Sequence, residues 1–257
     1  MIKGLYTAGS GMMLQMARQD VVANNLANVN TSGFKKNVAI AKAFPEMLMS
    51  RLGEVKEDAS GHKVNVPIEV IGPLGTGAAV SGIYTDFDNN NIKQTENPSD
   101  LAIVKEGYFV VQTPEGQRFT RSGEFKINSE KLLTDNSGYP VLDVNDAPIE
   151  VDGELVVDGE GNININGESV TKLKIVNFTN LQNLERLGDT LVNSDETPVE
   201  VEKPEILQGY IEQSNVNAVK EMVTLITVVR AYESLQKVVQ AEEELNDVAI
   251  NQVGSTS

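Results

Sequence analysis

The chain has 257 residues, a formal net charge of −16, one histidine (His62), and neither cysteine nor tryptophan. Without cysteine there are no disulfides, thiolate metal sites or cysteine nucleophiles, and a single histidine cannot build a multi-histidine zinc site or an H-E-x-x-H helix. The acidic balance argues against a nucleic-acid partner, because such binding relies on Lys and Arg displacing counterions from phosphates.

The charge is unevenly spread. Residues 1–42 carry Lys3, Arg18, Lys35, Lys36 and Lys42 against Asp20, a net +4, whereas residues 205–257 carry eight acids against Lys220, Arg230 and Lys237, a net −5. The two ends are electrostatically complementary, and exposed pairs between them would add about 0.2–1 kcal/mol each, screened by salt. Gln15, Arg18, Gln19 and Asp20 interrupt any apolar stretch near the start, so no cleaved leader is expected. The longest apolar run, around Leu225–Val229, is too short to cross a bilayer.

In chain order, the first predicted element is a helix over Leu5–Val29, where Leu5, Ala8, Met12, Gln15, Gln19, Val22 and Leu26 fall near heptad spacing. Met13, Met16, Ala23 and Ala27 form a second apolar set, so this helix needs more than one partner. Thr31-Ser32-Gly33 ends it.

Residues 65–204 read as β. Short apolar runs such as Tyr108–Gln112, Arg118–Thr120, Phe125–Ile127, Val141–Val144, Leu155–Val157, Ile163–Ile165 and Leu173–Phe178 alternate with turn signals. That rhythm predicts an antiparallel sandwich or open barrel, and the lack of interleaved helices disfavours a parallel sheet. A long helix returns over Asn217–Gln252 with two seams. Met222, Leu225, Val229, Tyr232 and Val239 form one, and Val228, Ala231, Leu235, Val238, Leu245 and Ala249 the other. One seam suits the N-terminal helix; the second faces either other subunits or the β domain.

Motifs that would carry chemistry fail on their spacing. Gly72-Pro73-Leu74-Gly75-Thr76-Gly77 is not G-x-G-x-x-G and precedes no helix. Asp86, Asp88 and Asn90 open like a calcium loop, but the sixth and twelfth positions are Asn91 and Asn97. Asp158-Gly159-Glu160-Gly161 is a tight turn, and His62 sits in a polar stretch with no G-x-S-x-G elbow to serve. A hydrolase would need two carboxylates facing one cleft, a point that 37 acidic residues leave open in the sequence. No catalytic residue, metal ligand or cofactor is expected.

Three longer stretches are specific. Asn24-Asn25-Leu26-Ala27-Asn28-Val29-Asn30-Thr31-Ser32-Gly33-Phe34-Lys35 resembles the N-terminal signature of flagellar rod, hook and hook-associated proteins. Glu212-Gln213-Ser214-Asn215-Val216-Asn217, with Glu221-Met222-Val223 and Arg230-Ala231-Tyr232-Glu233, resembles the same family's closing signature. Leu101-Ala102-Ile103, Gly107-Tyr108-Phe109, Phe119-Thr120-Arg121-Ser122-Gly123 and Gly138-Tyr139-Pro140 resemble its β-domain core. A single β domain matches the two larger rod subunits, proximal-end and distal, better than hook proteins.

The resemblance implies an α+β fold. Long N- and C-terminal helices (residues 1–45 and 205–257) pair as a coiled-coil-like domain, and a linker with an antiparallel all-β domain fills 46–204. It implies a structural, non-enzymatic subunit of the basal-body rod. Copies assemble helically with one another and with other rod and hook subunits into a torque-transmitting tube around the export channel. The flagellar type III export apparatus delivers the subunit, and no cofactor, nucleic acid or transmembrane segment is involved. The expected interface residues are Leu5, Met12, Leu26, Asn28, Asn30, Phe34, Met222, Leu225, Val229, Tyr232, Leu235, Val238 and Leu245, with Asn28 and Asn30 setting the exit from the helix through left-handed backbone and amide capping. The rival readings are a hook-type subunit, a peptidoglycan hydrolase and a secreted binding module.

Overall fold

The structure is a computed structural model that describes residues 2–51, 55–57, 63–65, 69–87, 91–188, 190–194 and 196–253. His62, and Asp88 and Asn90 of the rejected calcium loop, lie outside the described residues. The fold is α+β, with two long helices at the ends of the chain and antiparallel strands between them. The chain divides into two compact units. One comprises Met1–Val22, Val38–Ile83 and Val223–Ser257, and the other Ala23–Asn37 and Tyr84–Met222.

Helices α1 (Ile2–Ala27) and α2 (Ala218–Val248) lie mostly in the first unit, the last turn of α1 and the first turn of α2 belonging to the second, and α2 runs on into a π-helical turn, Ala249–Val253. The start of α2 is fixed by its cap. The Asn217 amide oxygen accepts the Lys220 N–H at 3.0 Å, and Glu221 places a negative charge in the first turn, where the helix dipole favours it. A Cβ on Gly11 would lie 3.1 Å from the Leu235 side chain, and one on Gly4 would lie 2.5 Å from the Glu242 carboxylate. Ala8, between these glycines, is buried.

The chain is already β from Asn37, within the stretch 1–45 expected to hold the N-terminal helix and signature turn and ahead of the linker expected from 46. Asn37–Ala43 pairs with Ala78–Thr85, Met47–Arg51 with Glu69–Leu74, and Val55–Glu57 with Lys63–Asn65. All five residues of Met47–Arg51 are exposed, so this strand has no alternating burial to shape its pattern, and hydrophobic periodicity could not reveal it, whereas Asn37–Ala43 alternates between half-buried and exposed positions.

The second unit holds a six-stranded antiparallel sheet in the order 185–187, 191–193, 116–120, 108–113, 175–177, 199–200. The central strand Tyr108–Thr113 is buried on both faces. Phe109 and Val111 join Leu101, Phe125, Leu133, Ile149, Ile163 and Ile175 on one side, and Tyr108 and Val110 join Phe119, Leu142 and Phe178 on the other. Edge-to-face contacts order both layers, Phe109 with Phe125 at 5.0 Å and Phe119 with Phe178 at 4.9 Å.

One turn design recurs four times in this unit. Asn128, Asp135, Asp143 and Asp158 each accept, through Oδ1, the N–H groups two and four residues on, all at 2.8–2.9 Å. The residue three positions on has positive φ each time: Lys131 (63°), Gly138 (88°), Asp146 (62°) and Gly161 (85°). The carboxylate or amide stands in for backbone acceptors and satisfies N–H groups that a tight reversal would orphan.

Candidate functional site

The three signature stretches, far apart in sequence, meet inside the second unit. At their centre is Glu212, whose side chain is 2% exposed. Its Oε1 accepts from Lys35 Nζ at 2.7 Å and its Oε2 from Arg121 Nε. Both cations are buried. Arg121 is further tied by donation to the carbonyls of Ile103, Lys105 and Gly107. The backbone closes the same junction, because Gly33 N–H donates to the Glu212 carbonyl at 2.9 Å. Gly33 has φ of 68°, and a Cβ there would stand 2.4 Å from the Ser122 nitrogen. This position demands glycine on both counts.

A ring of amides and hydroxyls surrounds that centre. Asn25 pairs with the Asn37 backbone through both amide atoms, at 2.8 and 2.9 Å, as a strand edge would. Lys36 N–H donates to Asn215 Oδ1 at 2.6 Å, Asn215 Nδ2 donates to the Asp86 carbonyl at 3.0 Å, and Asp86 N–H returns to the Lys36 carbonyl at 2.8 Å. Ser32 and Ser122 share a hydroxyl contact of 2.7 Å. The Lys36 ammonium lies 3.4 Å from buried Glu221. The Arg186 guanidinium covers the Phe34 ring at 4.4 Å and donates to the Lys35 carbonyl.

Burial pushes the Lys35 ammonium below its ordinary range, although Glu212 pulls it back up and Asp86 helps. Burial also pushes the Tyr108 hydroxyl up from the usual 10 to about 12. The charge complementarity of the two chain ends is thus realised in two named pairs, Lys35–Glu212 and Lys36–Glu221. They are not the exposed, salt-screened contacts the sequence suggested. Both carboxylates are almost fully buried, so desolvation and fixed geometry govern them.

The expected interface residues separate into groups. Phe34 is wholly buried and Asn28 nearly so, both within the chain's own packing. Asn28 does shape the helix exit, but by hydrogen bonding. Its Nδ2 donates to the Asn24 carbonyl at 3.1 Å and its Oδ1 accepts from the Thr31 hydroxyl at 3.0 Å. Neither Asn28 nor Asn30 is left-handed; Gly33 takes that conformation. Leu5, Met12, Leu26, Leu225, Val229, Tyr232 and Leu235 are half-buried, and Asn30, Met222, Val238 and Leu245 are exposed.

The structure brings Leu235 and Val238 together with Gly4, Tyr6 and Met47 around an apolar groove of 470 Å³ in the first unit. Missed by the sequence reading was the exposed set Val219, Val223 and Ile226 on α2, spaced as one helix face. The partnerships of Asp86 and Arg186 were also missed, since both lie outside the signature stretches. Among the described residues, no group of three or more His, Asp or Glu side chains is placed to hold a metal ion.

The same three stretches carry the likeness to known proteins. The family described as flagella basal body rod protein matches residues 5–35, the flagellar hook protein FlgE/F/G D1 domain matches 102–177, and the flagellar basal body rod FlgEFG protein C-terminal family matches 207–252. The flagellar hook-basal body complex protein FlhO of Bacillus subtilis is 32% identical over 99% of both chains. This chain belongs to the flagellar basal-body rod family. Flagellar basal-body rod protein FlgF of Mesorhizobium japonicum is 32% identical over 98% of both chains. Flagellar basal-body rod protein FlgG of Caulobacter vibrioides is 31% identical, over 95% of this chain and 97% of its own. In this rod-family chain the regions that match are the ones the Glu212 junction ties together. No helix among the described residues is long and apolar enough to cross a membrane.

Proposed function

We propose that the chain is a structural subunit of the flagellar rod that assembles through its terminal helices, with copies of itself and with other rod and hook subunits. Membership of the rod family supports the location and the kind of partner. The observation that carries the mode of assembly is the apolar surface of the two helices. Tyr6 is 72% exposed and Met13 73% on α1, and Val219 is 71% exposed on α2, an arrangement costly for a solitary soluble chain.

Contacts between Gly4 and Glu242 and between Gly11 and Leu235 advance by seven residues on each helix in opposite directions, which suits antiparallel pairing in the manner of a coiled coil. The functional division is then residues 1–45 with 205–257 as the assembling part, and 46–204 as linker and β domain. Leu5, Met12, Leu225, Val229, Tyr232, Leu235, Val238 and Leu245 supply seams within and between subunits. The assembled tube carries torque and encloses an export channel, and the subunit reaches it through the flagellar type III apparatus. The work is mechanical and uses no cofactor or catalysis.

The test is Leu235→Asp. A charge pressed against Gly11 costs several kcal/mol unless it is paired. The variant should fail to polymerise or enter basal bodies, while the β-sheet unit keeps its melting temperature. Normal incorporation of this variant would refute assembly through these helices.

A further inference from the structure

A pocket of 390 Å³ opens in the second unit beside the Glu212 junction, a volume within the ~300–1,000 Å³ usual for small-molecule sites. Tyr108 stands in its wall. The residue is only 6% exposed and its ring is held edge-to-face on Phe178 at 5.6 Å, yet its hydroxyl makes no hydrogen bond with any described residue. A phenol buried this far ordinarily has a partner. The charges that act on the hydroxyl are those of Arg121, Glu212 and Glu106, and Arg121 and Glu106 line the same pocket, so the hydroxyl faces into it. Further polar groups converge there. Glu106 accepts from Asn177 Nδ2 through Oε2 at 3.2 Å, and its Oε1 accepts from no described residue. The side-chain amide of exposed Gln182 likewise has no partner among the described residues. Half-buried Phe87 and Leu181 supply an apolar part of the wall.

Charge narrows the ligand. Lys35 and Arg121 are the cations of the pocket, and both already donate to Glu212, Arg121 donating to three backbone carbonyls as well. Asp86 and Glu106 add carboxylates to the lining, so an anion meets no open cation and two like charges. The open groups are a phenol hydroxyl, a carboxylate oxygen and a primary amide, which between them donate and accept. Hydroxyl groups answer such a set best, because each hydroxyl also gives one hydrogen bond and receives others. An extended peptide fits less well, since strands 108–113 and 175–177, which reach the pocket, are each paired on both sides and offer no free edge. We propose that this pocket binds a neutral saccharide, with Tyr108, Glu106 and Gln182 bonding its hydroxyls and Phe87 and Leu181 meeting its C–H face. The site lies wholly within the β unit and does not depend on the assembly proposed above.

Amide chemical shifts of the full-length protein, titrated with glucose, galactose, mannose and N-acetylglucosamine, test this. At least one sugar should move the amides of Gly107, Tyr108, Asn177 and Gln182 to saturation. Tyr108→Phe keeps the ring and its packing and should weaken that binding roughly 10-fold, as loss of one hydrogen bond implies. Gln182→Ala, at an exposed position that leaves the fold alone, should weaken it as well. A linear trisaccharide of the same sugar separates two sources of the ligand. Tighter binding than the single sugar marks a glycan chain, equal binding marks a free sugar, and either supports the site. The proposal is overturned if no sugar of the panel reaches saturation, if the shifts fall outside the pocket, or if either variant binds as tightly as the wild type. It is equally overturned if sodium phosphate or triglycine moves these amides at lower concentration than any sugar.

Discussion

At the scale of single residues, the junction makes claims about charge that pH can check. The Tyr108 hydroxyl, raised to about 12, stays protonated in the fold at pH values where it has ionised in the unfolded chain. The folded state then binds the extra proton, so stability is present below pH 10 and is lost as pH climbs from about 10 to 12, by roughly 2–3 kcal/mol for a group this buried. Lys35 acts in the opposite sense. Its lowered folded value means stability rises with pH as the window below 10.5 is crossed, since the unfolded chain keeps the proton longer. Chemical denaturation across this range should show a rise, then a fall, and Tyr108→Phe should remove most of the fall. A Tyr108→Phe profile that matches the wild type above pH 10 would show that burial of the hydroxyl has been misjudged. Gly33→Ala is the steric counterpart. It meets the backbone of Arg121 and Ser122 in a left-handed conformation, and a loss of about 2–5 kcal/mol is expected in thermal melts.

At the scale of elements, the four matching turns are the most regular feature of the β unit. Lys131 pays the left-handed cost that Gly138 and Gly161 avoid, and its pair with Asp152 is exposed and worth little. Lys131→Gly should therefore raise stability by about 0.5–1 kcal/mol, whereas Asp135→Ala, which orphans the N–H groups of Ser137 and Tyr139, should lower it by about 1–3 kcal/mol. Equal melting temperatures for the two variants would contradict this account of the turns. Two of these turns, Asp135–Gly138 and Asp158–Gly161, were readable as punctuation in the sequence because Asp and Gly at that offset mark a reversal. Asn128–Lys131 and Asp143–Asp146 carry no Gly and were not, Asp143 falling inside the expected strand run Val141–Val144. Both helices were readable from their apolar spacing, to within a few residues. The strands Asn37–Ala43 and Met47–Arg51 were not, and for Met47–Arg51 the reason is plain, since all five residues are exposed and no buried face imposes a period of two. Lys35, Arg121 and Glu212 stood inside recognisable stretches, yet their mutual contact depends on which strands lie side by side. Charge sums could suggest that the two ends attract but could not show that the pairs are buried.

At the scale of the whole molecule, the division of labour follows from where apolar surface is covered and where it is left open. The β unit buries its large side chains in two layers and fixes the signature turn through the Glu212 junction. The terminal helices keep Tyr6, Met13, Met16, Val223 and Ile226 exposed, the surface that the proposed assembly would cover. If apolar contact holds that polymer, finished assemblies should survive salt on the order of 1 M, at which exposed charge pairs are screened within about 3 Å. Dissolution at high salt, seen by sedimentation, would mean that charges between subunits hold it instead. The central claim, a structural place in the rod, is tested most directly by imaging purified basal bodies that carry a small tag in the exposed Asn166-Gly167 turn of this chain, in cells kept motile by the tagged copy. The account predicts label on the rod in every complete basal body. Basal bodies with intact rods and no label, or label confined to another compartment, would contradict it.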